Sequence, residues 1–572
     1  TKCVFDANYD PPSRILTKAI DALPLISTKE ESRVTFSGEF AQLRPGTSNN
    51  KQDKDGASFI EDFESAVTPR RFDGGHVPWS LASVPVGFEG GEGLASGDRR
   101  AKMAWYTVDR SFYSGSQPSN ISDEDLAGHY VKAVAPQDIY KQQDLQQYNS
   151  NLSIFDLAYY PAERGPYNYN SSPNDVNRDG SFKEPEKNFG AIIRDYSGES
   201  DFTQNNVEYI EFWMMDPFIE GDRGRRRVTG DENEVVVSEE GKLFFNIGVI
   251  SEDVLPNNQW ERENGLPEDE SNENTVATPW GRASTETQVQ DAFSNDASSR
   301  QNQDIGLDGV NSSREKEIFI DSLGIFNESD YDGTAYSALY SDPASDDFQH
   351  YFNNDYTDAD AKILERYKKF NGVEGNSPVN SGNASATLEP DSEDINSDGG
   401  LNTTNAYREF QVDLKKGMEI GESYIIDKVT DRSGEADWYQ FRIPFSDAAA
   451  KDIGNYSIQN NRMIRMYMTG WKKPVVLRMA NLSLVSSQWR KSTENLAIKG
   501  FDIVPEPSTA GFELSVVNIE ENSTTSGGKP PYIVPLARDQ DNSTTLSRRD
   551  NEQALKLCVE DLEDGDSRGA FK

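Results

Sequence analysis

The residues with the clearest capacity for chemistry form a short acidic loop. The segment DVNRDGSFKEPE (175–186) matches the spacing of a calcium-binding loop, D-x-[DN]-x-[DN]-G-x5-E. Short oxygen-bearing side chains at alternate positions surround a hard cation, and the distal glutamate completes the coordination shell. The predicted ligands of a structural Ca2+ are Asp175, Asn177, Asp179, Ser181 (through its backbone carbonyl) and Glu186.

The surroundings of this loop define the kind of site expected. Pro185 falls where an EF-hand needs helix, and no amphipathic helices flank the loop, so an isolated calcium loop is predicted. The alternative is a turn rich in Asp, Asn and Gly that binds nothing. A second acidic segment, DINSDGGLN (394–402), lacks the closing glutamate, and there we expect a turn.

Catalytic patterns are absent from the sequence. The three histidines, His76, His129 and His350, are far apart, and no HExxH, GxSxG, P-loop or dinucleotide-binding glycine pattern occurs. Carboxylates are so frequent that no glycosidase pair stands out. We therefore expect a protein that is not an enzyme.

Charge and hydropathy limit the partners. The 57 basic and 97 acidic residues give a net charge of −40, which repels nucleic acid and anionic lipid. No run of 18 apolar residues occurs, so no transmembrane helix is predicted. The two cysteines, Cys3 and Cys558, lie near opposite ends. They form one disulfide if the ends meet, or remain two unpaired thiols if they do not.

Strand patterns dominate two parts of the chain. In NRMIRMYMTGW (461–471), Met463, Arg465 and Tyr467 alternate with Ile464, Met466 and Met468, which is the period of a strand. Similar aromatic and β-branched runs lie at 206–218, 242–255 and 474–490. The predicted fold class is mainly β: a jelly-roll-like antiparallel β-sandwich, resembling carbohydrate-binding modules, with long polar insertions and a few short helices.

Composition changes along the chain predict five segments. They are an extended lead-in and linker (1–95), the first half of the sandwich (96–260), a long polar insertion with a short helix at 358–371 (261–435), the second half of the sandwich (436–525), and a tail or the start of another domain (526–572).

Several segments, in order along nearly the whole chain, resemble the SprA/Sov family. They include FDLAYYPAERGPYNYN (155–170), NVEYIEFWMMDPF (206–218), NIGVISEDVLPN (246–257), DWYQFRIPF (437–445) and NEQALKLCVEDL (551–562). The resemblance implies part of a much longer outer-membrane β-barrel, the translocon of type IX secretion, which supports gliding motility in some species. Its implied partners are the rest of the barrel, PorV-type and plug-type proteins, and secreted cargo with C-terminal signal domains.

The chain lacks the repeated alternating segments of a barrel wall, so we expect a soluble region that caps or lines the export channel. An outer-membrane-associated location is expected, on the extracellular face or in the barrel lumen rather than on the periplasmic side. A rival role within the family is partner docking through Tyr167 and Tyr169 in AERGPYNYN. The alternative from another class is a cell-surface, adhesin-like glycan-binding sandwich, for which strand tryptophans such as Trp105, Trp213 and Trp438 are available.

Overall fold

The structure of the chain is a computed structural model. It describes residues 2–9, 13–23, 36–43, 58–61, 67–73, 75, 78–140, 151–196, 198–220, 239–269, 271–287, 292–379, 387–487, 489–492, 512–518, 540–541, 548–549, 553–559 and 569–571. Side chains are described at 13–23, within these ranges from 69 to 489, and at 512, 554–557 and 570.

The described residues form 24 strands. In chain order they are β1 (Lys2–Tyr9), β2 (Phe36–Leu43), β3 (Ser58–Glu61), β4 (Val67–Arg71), β5 (Ser80–Leu81), β6 (Ala101–Tyr106), β7 (Phe155–Arg164), β8 (Phe189–Asp195), β9 (Val207–Met215), β10 (Glu240–Val249), β11 (Thr275–Ala277), β12 (Arg282–Ser284), β13 (Ala406–Lys415), β14 (Ile425–Thr430), β15 (Asp437–Pro444), β16 (Lys451–Ile453), β17 (Met463–Thr469), β18 (Val475–Ser487), β19 (Arg490–Ser492), β20 (Phe512–Asn518), β21 (Gln540–Asp541), β22 (Arg548–Arg549), β23 (Gln553–Val559) and β24 (Gly569–Phe571).

The helices of the described residues are short. The α-helices are α1 (Arg14–Asp21), α2 (Asp123–Leu126), α3 (Pro136–Ile139), α4 (Ala297–Gln301), α5 (Ser312–Glu315), α6 (Gly333–Ser341), α7 (Asn354–Asp358) and α8 (Ile363–Arg366). A π-helix spans Lys316–Ser322, and 3-10 turns span Gly93–Gly97, Arg110–Tyr113, Pro185–Lys187 and Glu328–Asp330. Each helix in the described part of the chain is too short or too polar to cross a bilayer.

Two antiparallel sheets dominate the fold. One has the order β16-β13-β10-β17-β8-β5, and the other has the order β14-β15-β9-β18-β7-β6 with β4 also paired to β18. Their inner faces share one apolar core, where Phe212 of one sheet and Phe245 of the other have ring centroids 5.5 Å apart. The prediction of a mainly β, antiparallel sandwich is confirmed, whereas the jelly-roll connection pattern remains a prediction.

Central strands are buried on both faces. In β17, Ile464, Met466 and Met468 join the core between the sheets, while Met463 and Tyr467 join a second cluster on the outer face. The predicted alternation is therefore confirmed. An apolar strand of this kind needs a cover on each side, because its exposed rings would otherwise meet water.

The polar insertion covers part of the outer face of the other sheet, the seven-stranded one. The apolar stripe of the predicted helix 358–371 packs on the outer face of the seven-stranded sheet, where Tyr367 stacks on Tyr106 with ring centroids 4.1 Å apart. Helix α8 covers only Ile363–Arg366 of that range, and Asp360, which precedes it, adopts a left-handed φ of 52° that interrupts helix at this point.

The segment boundaries differ from those predicted. Strands β4 and β5 belong to the sandwich although they precede residue 96, and β13 and β14 belong to it although they precede residue 436. The insertion therefore lies between β10 and β13. Alternation in β13, where Phe410, Val412 and Leu414 are buried and the residues between them are exposed, was hidden in the sequence by the polar residues around it.

Candidate functional site

The predicted calcium loop folds as a small hairpin. Val176 and Phe182 form an antiparallel bridge, and the side chains of both are buried. Gly180 at the turn has a φ of 80°. Asp179 Oδ1 accepts hydrogen bonds from Ser181 N–H (3.0 Å) and Oγ–H (2.6 Å), which lower the pKa of Asp179. These contacts describe a turn in which the carboxylate is already held by its neighbour.

The loop brings some predicted ligands together and leaves others apart. Asn177 Nδ2 donates to Ser181 Oγ (3.0 Å), and Asp175 Oδ2 accepts from Asn170 Nδ2 (3.4 Å). Among the described residues, Asp175, Asp179 and Glu186 are not a set whose carboxylate oxygens converge. Calcium binding at this loop remains a prediction.

Tyr167 and Tyr169, predicted to contact a partner, lie inside the molecule. Tyr167 is 0% exposed and Tyr169 is 4% exposed, so neither ring is available at the surface. The chain leaves β7 at Arg164 and passes beneath the insertion, where Tyr169 packs on Phe319 at 4.3 Å between ring centroids. Burying two large aromatic rings stabilises the fold more than leaving them exposed to water. The expectation that these tyrosines are free for docking is therefore wrong.

A buried acidic cluster lies beside these tyrosines. Asp308, Glu315 and Asp346 each present a carboxylate oxygen, and the three oxygens lie within 4.8 Å of one another. All three residues are 0% exposed. Glu315 ends α5 directly before the π-helix, and Asp308 and Asp346 stand on loops of the same insertion.

A glycine makes room for the cluster. Gly306 has a φ of 86°, and a Cβ at this position would lie 2.5 Å from Asp346 Oδ2 and 3.3 Å from the Tyr167 hydroxyl. Only a residue without a side chain lets the Gly306 backbone approach both groups so closely.

One oxygen of each carboxylate is held by the fold. Asp308 Oδ1 accepts from the Val310 N–H (3.2 Å), Glu315 Oε2 accepts from the Ala344 N–H (2.8 Å), and Asp346 Oδ2 accepts from the Tyr167 hydroxyl (2.8 Å). The other oxygen of each is buried and has no hydrogen-bond partner among the described residues. The cluster thus presents three buried acceptors without donors.

The electrostatics of the cluster are unbalanced. Burial first, and neighbouring carboxylates second, raise the pKa of Asp308, Glu315 and Asp346 well above the usual range. Within the described part of the chain no ion pair reaches any of the three. The buried Arg164 nearby donates instead to backbone carbonyls of Asn168 and Asp342.

A charged cleft of about 630 Å³ opens beside the hairpin. Its lining includes Asp179 and Ser181 of the loop and the lysines 102, 368 and 369. Lys368 pairs with Glu163 (2.9 Å) and Lys369 pairs with Asp342 (3.1 Å). The cleft lining contains no histidine or cysteine, and Lys102 Nζ lies against the carbonyl and hydroxyl oxygens of Ser345.

The remaining predicted residues give less information. Cys3 lies on β1 opposite Gln42, and Cys558 lies on β23 opposite Glu513, but their side chains are outside the described ones, so the disulfide remains a prediction. Trp105, Trp213 and Trp438 are 5%, 1% and 0% exposed, so they form no sugar-binding platform on the surface.

One weak signal for the acidic cluster is present in the sequence. Glu315 lies between Arg314 and Lys316, whereas Asp308 lies in IGLDGV, next to apolar residues within a polar region. An acid in such a setting is a candidate for burial. The long polar insertion hid this signal, because it contains many other acids.

Comparison with known families gives one match. Residues 325–572 match the model of the SprA_N family, described as motility related/secretion protein. The match begins within the insertion and continues through the second half of the sandwich. A search of curated proteins found no match.

Proposed function

Since the chain belongs to the SprA_N family through residues 325–572, we propose that it is a non-catalytic region of the type IX secretion translocon. In this role it caps or lines the export channel at the outer membrane and offers a surface to partner proteins. The family match carries this proposal, and the architecture of the sandwich supports it.

Hydrogen bonds and ring stacking attach the insertion to the sandwich. The Tyr367 hydroxyl accepts from the Asp109 N–H (3.0 Å), and Asn371 exchanges two hydrogen bonds with the backbone of Trp105, both of 2.9 Å. Together with the stacked Tyr106 and Tyr367 rings, these contacts hold the insertion in a fixed position. A cap that excludes solutes requires such rigidity.

An exposed apolar surface on the insertion suits a partner protein. Tyr340 on α6 is 46% exposed, and its ring centroid lies 6.0 Å from that of Tyr336. Leu323, which follows the π-helix that α6 contacts, is 57% exposed. We call Leu323, Tyr336 and Tyr340 the α6 surface. Exposed aromatic and aliphatic side chains of this kind anchor protein interfaces, and here the proposed occupant is a PorV-type or plug-type partner.

The positions of the described histidines support a non-catalytic role. The backbone carbonyl of buried His129 accepts from Arg478 Nη1 (2.8 Å), and His350 lies among the rings of Tyr351, Phe352 and Phe370. Burial lowers the pKa of His350. The His129 backbone and the His350 ring therefore have packing roles.

The test is photo-crosslinking in cells that make the intact parent protein. A photoreactive residue at Tyr340 is expected to yield adducts with a translocon partner, because that ring is exposed. The matched control is Ile420, which is 51% exposed on the sandwich and outside the α6 surface. Equal partner adducts from both positions, or none from Tyr340, would reject the proposed surface.

A second experiment addresses the side of the membrane. Cysteine introduced at exposed Ile420 is expected to react with an impermeant maleimide on whole cells if this region faces outward. Labelling that requires disruption of the outer membrane would instead place the region on the periplasmic side.

A further inference from the structure

We propose that Asp308, Glu315 and Asp346 bind one divalent cation, of which Ca2+ is the best fit, at a structural site separate from the loop 175–186. This site does not depend on the proposed secretion role. It follows from how the three carboxylates are arranged and from what surrounds them.

The spacing of the oxygens matches a calcium ion. Calcium lies 2.3–2.6 Å from its oxygen ligands, so two ligands on opposite sides of one ion are separated by about 5 Å. The three carboxylate oxygens, all within 4.8 Å of one another, meet that limit. Magnesium, at 2.0–2.1 Å, draws opposite ligands to about 4 Å and retains waters, which a fully buried site accommodates poorly.

The unpartnered oxygens point to a missing positive charge. Asp308 Oδ2, Glu315 Oε1 and Asp346 Oδ1 are buried and have no hydrogen-bond partner among the described residues. Burying several carboxylates without a counter-charge is strongly unfavourable. A divalent cation removes this penalty and supplies a partner to each free oxygen.

Tyr169 provides an independent indication. Its hydroxyl is buried and has no hydrogen-bond partner among the described residues. It lies within electrostatic reach of all three acids, since Asp308, Glu315 and Asp346 each add to the rise in its pKa that burial begins. A buried hydroxyl oxygen within electrostatic reach of three carboxylates is a suitable additional ligand for a hard cation.

The cation would join four parts of the chain. Asp308 belongs to the loop before α5, Glu315 to α5, and Asp346 to the loop after α6, while Tyr167 and Tyr169 belong to the segment that leaves β7. Binding therefore fixes the insertion to the sandwich. Ca2+ at the millimolar concentrations found outside cells is enough for a site of modest affinity.

The experiment measures calcium bound to the purified full chain. After equilibration with Ca2+ and removal of free ion, elemental analysis is expected to find bound calcium in the wild type. Glu315→Gln and Asp308→Asn are expected to lose one equivalent. The matched control Asp179→Asn, in the exposed loop, is expected to leave that equivalent in place.

Calcium-free wild type, or cluster variants that fold and keep the wild-type stoichiometry, would overturn the site. If the loop also binds, the wild type carries two equivalents and each set of variants removes one. Loss of all calcium in Asp179→Asn with none lost in Glu315→Gln would assign binding to the loop and reject the cluster.

A second measurement covers variants that fail to fold. Tyr169→Phe removes only a hydroxyl, and it is expected to weaken Ca2+ binding several-fold without changing the far-ultraviolet spectrum. Wild-type chain is expected to melt several degrees higher in Ca2+ than in chelator, with a smaller rise in Mg2+. A melting temperature that is the same with and without chelator, together with an unchanged Ca2+ affinity in Tyr169→Phe, would contradict the proposal.

Discussion

The hydroxyl of Tyr167 donates a 2.8 Å hydrogen bond to Oδ2 of Asp346, a residue 179 positions further along the chain. The same hydroxyl accepts from the N–H of Leu307 at 3.0 Å. Tyr167 therefore joins the segment after β7 to two loops of the insertion. Its ring is fully buried, which makes it a support of the acidic cluster rather than a surface contact.

Replacing Tyr167 with Phe is expected to destabilise the protein by about 1–3 kcal/mol, because it leaves the Leu307 N–H without an acceptor and Asp346 Oδ2 without its donor. Thermal unfolding monitored by circular dichroism measures the change. Tyr340→Phe, at an exposed ring, is the control and is expected to change stability by less than about 0.5 kcal/mol. Equal effects from the two variants would contradict this role of Tyr167.

A buried ion pair joins β18 to β7. Arg478 and Asp156 are cross-strand neighbours, and Arg478 Nε donates to Asp156 Oδ1 at 2.9 Å with side chains 2% and 0% exposed. Arg478→Met is expected to cost about 3–5 kcal/mol, because Asp156 is then a buried charge without a partner. Chemical denaturation of the full chain measures this loss.

The paired control is the double variant Arg478→Met with Asp156→Leu. It removes both charges, and it is expected to recover a large part of the stability lost in the single variant. A double variant only as stable as the single one would show that the Arg478 contacts to the carbonyls of His129 and Lys132, which both variants lose, rather than the charge pair, carry the effect.

Asp427 on β14 predicts a dependence on pH. Burial raises its pKa to about 6, and its Oδ1 accepts from the Lys428 N–H at 2.7 Å. The unfolded chain releases this proton near pH 3.9, so the contribution of Asp427 to stability is full below that pH and is lost as the pH rises to about 6.

Asp427→Asn keeps an acceptor for the Lys428 N–H and removes the charge. It is therefore expected to raise the melting temperature by about 2 °C at pH 7.5 and to leave it unchanged near pH 4. Melting curves of both proteins at the two pH values provide the measurement. A stabilisation that is equal at both pH values would mean that burial of the charge is not its cause.

The sequence predicted the strands better than it predicted their surroundings. Alternation identified β17, in which Met463 and Tyr467 lie on one face and Ile464, Met466 and Met468 on the other. The apolar stripe at 363–370 was also correct, because burial depends on periodicity even where the helix is short. The sequence pattern of edge strand β14 is too weak to predict a strand, because only two of its residues are fully buried and Ile426 and Thr430 are exposed.

The acidic cluster illustrates what local patterns omit. The loop 175–186 has the ligands of a calcium site in consecutive order, which makes it visible in sequence. Asp308, Glu315 and Asp346 converge only because the insertion folds back on the segment after β7. The aromatic loop AERGPYNYN predicts Tyr167 and Tyr169 at the surface, yet both are buried beneath the long insertion.

The most direct test of the secretion role is export by cells whose own copy of the parent protein carries changes in the α6 surface. We predict that Leu323→Asp with Tyr340→Asp reduces export of cargo bearing C-terminal signal domains at least about tenfold, because a buried interface rejects charge. Ile420→Asp with Ile426→Asp, also at exposed positions, is the control and is predicted to export normally. Normal export by the α6 variant, with the protein present at its usual level, would contradict the account.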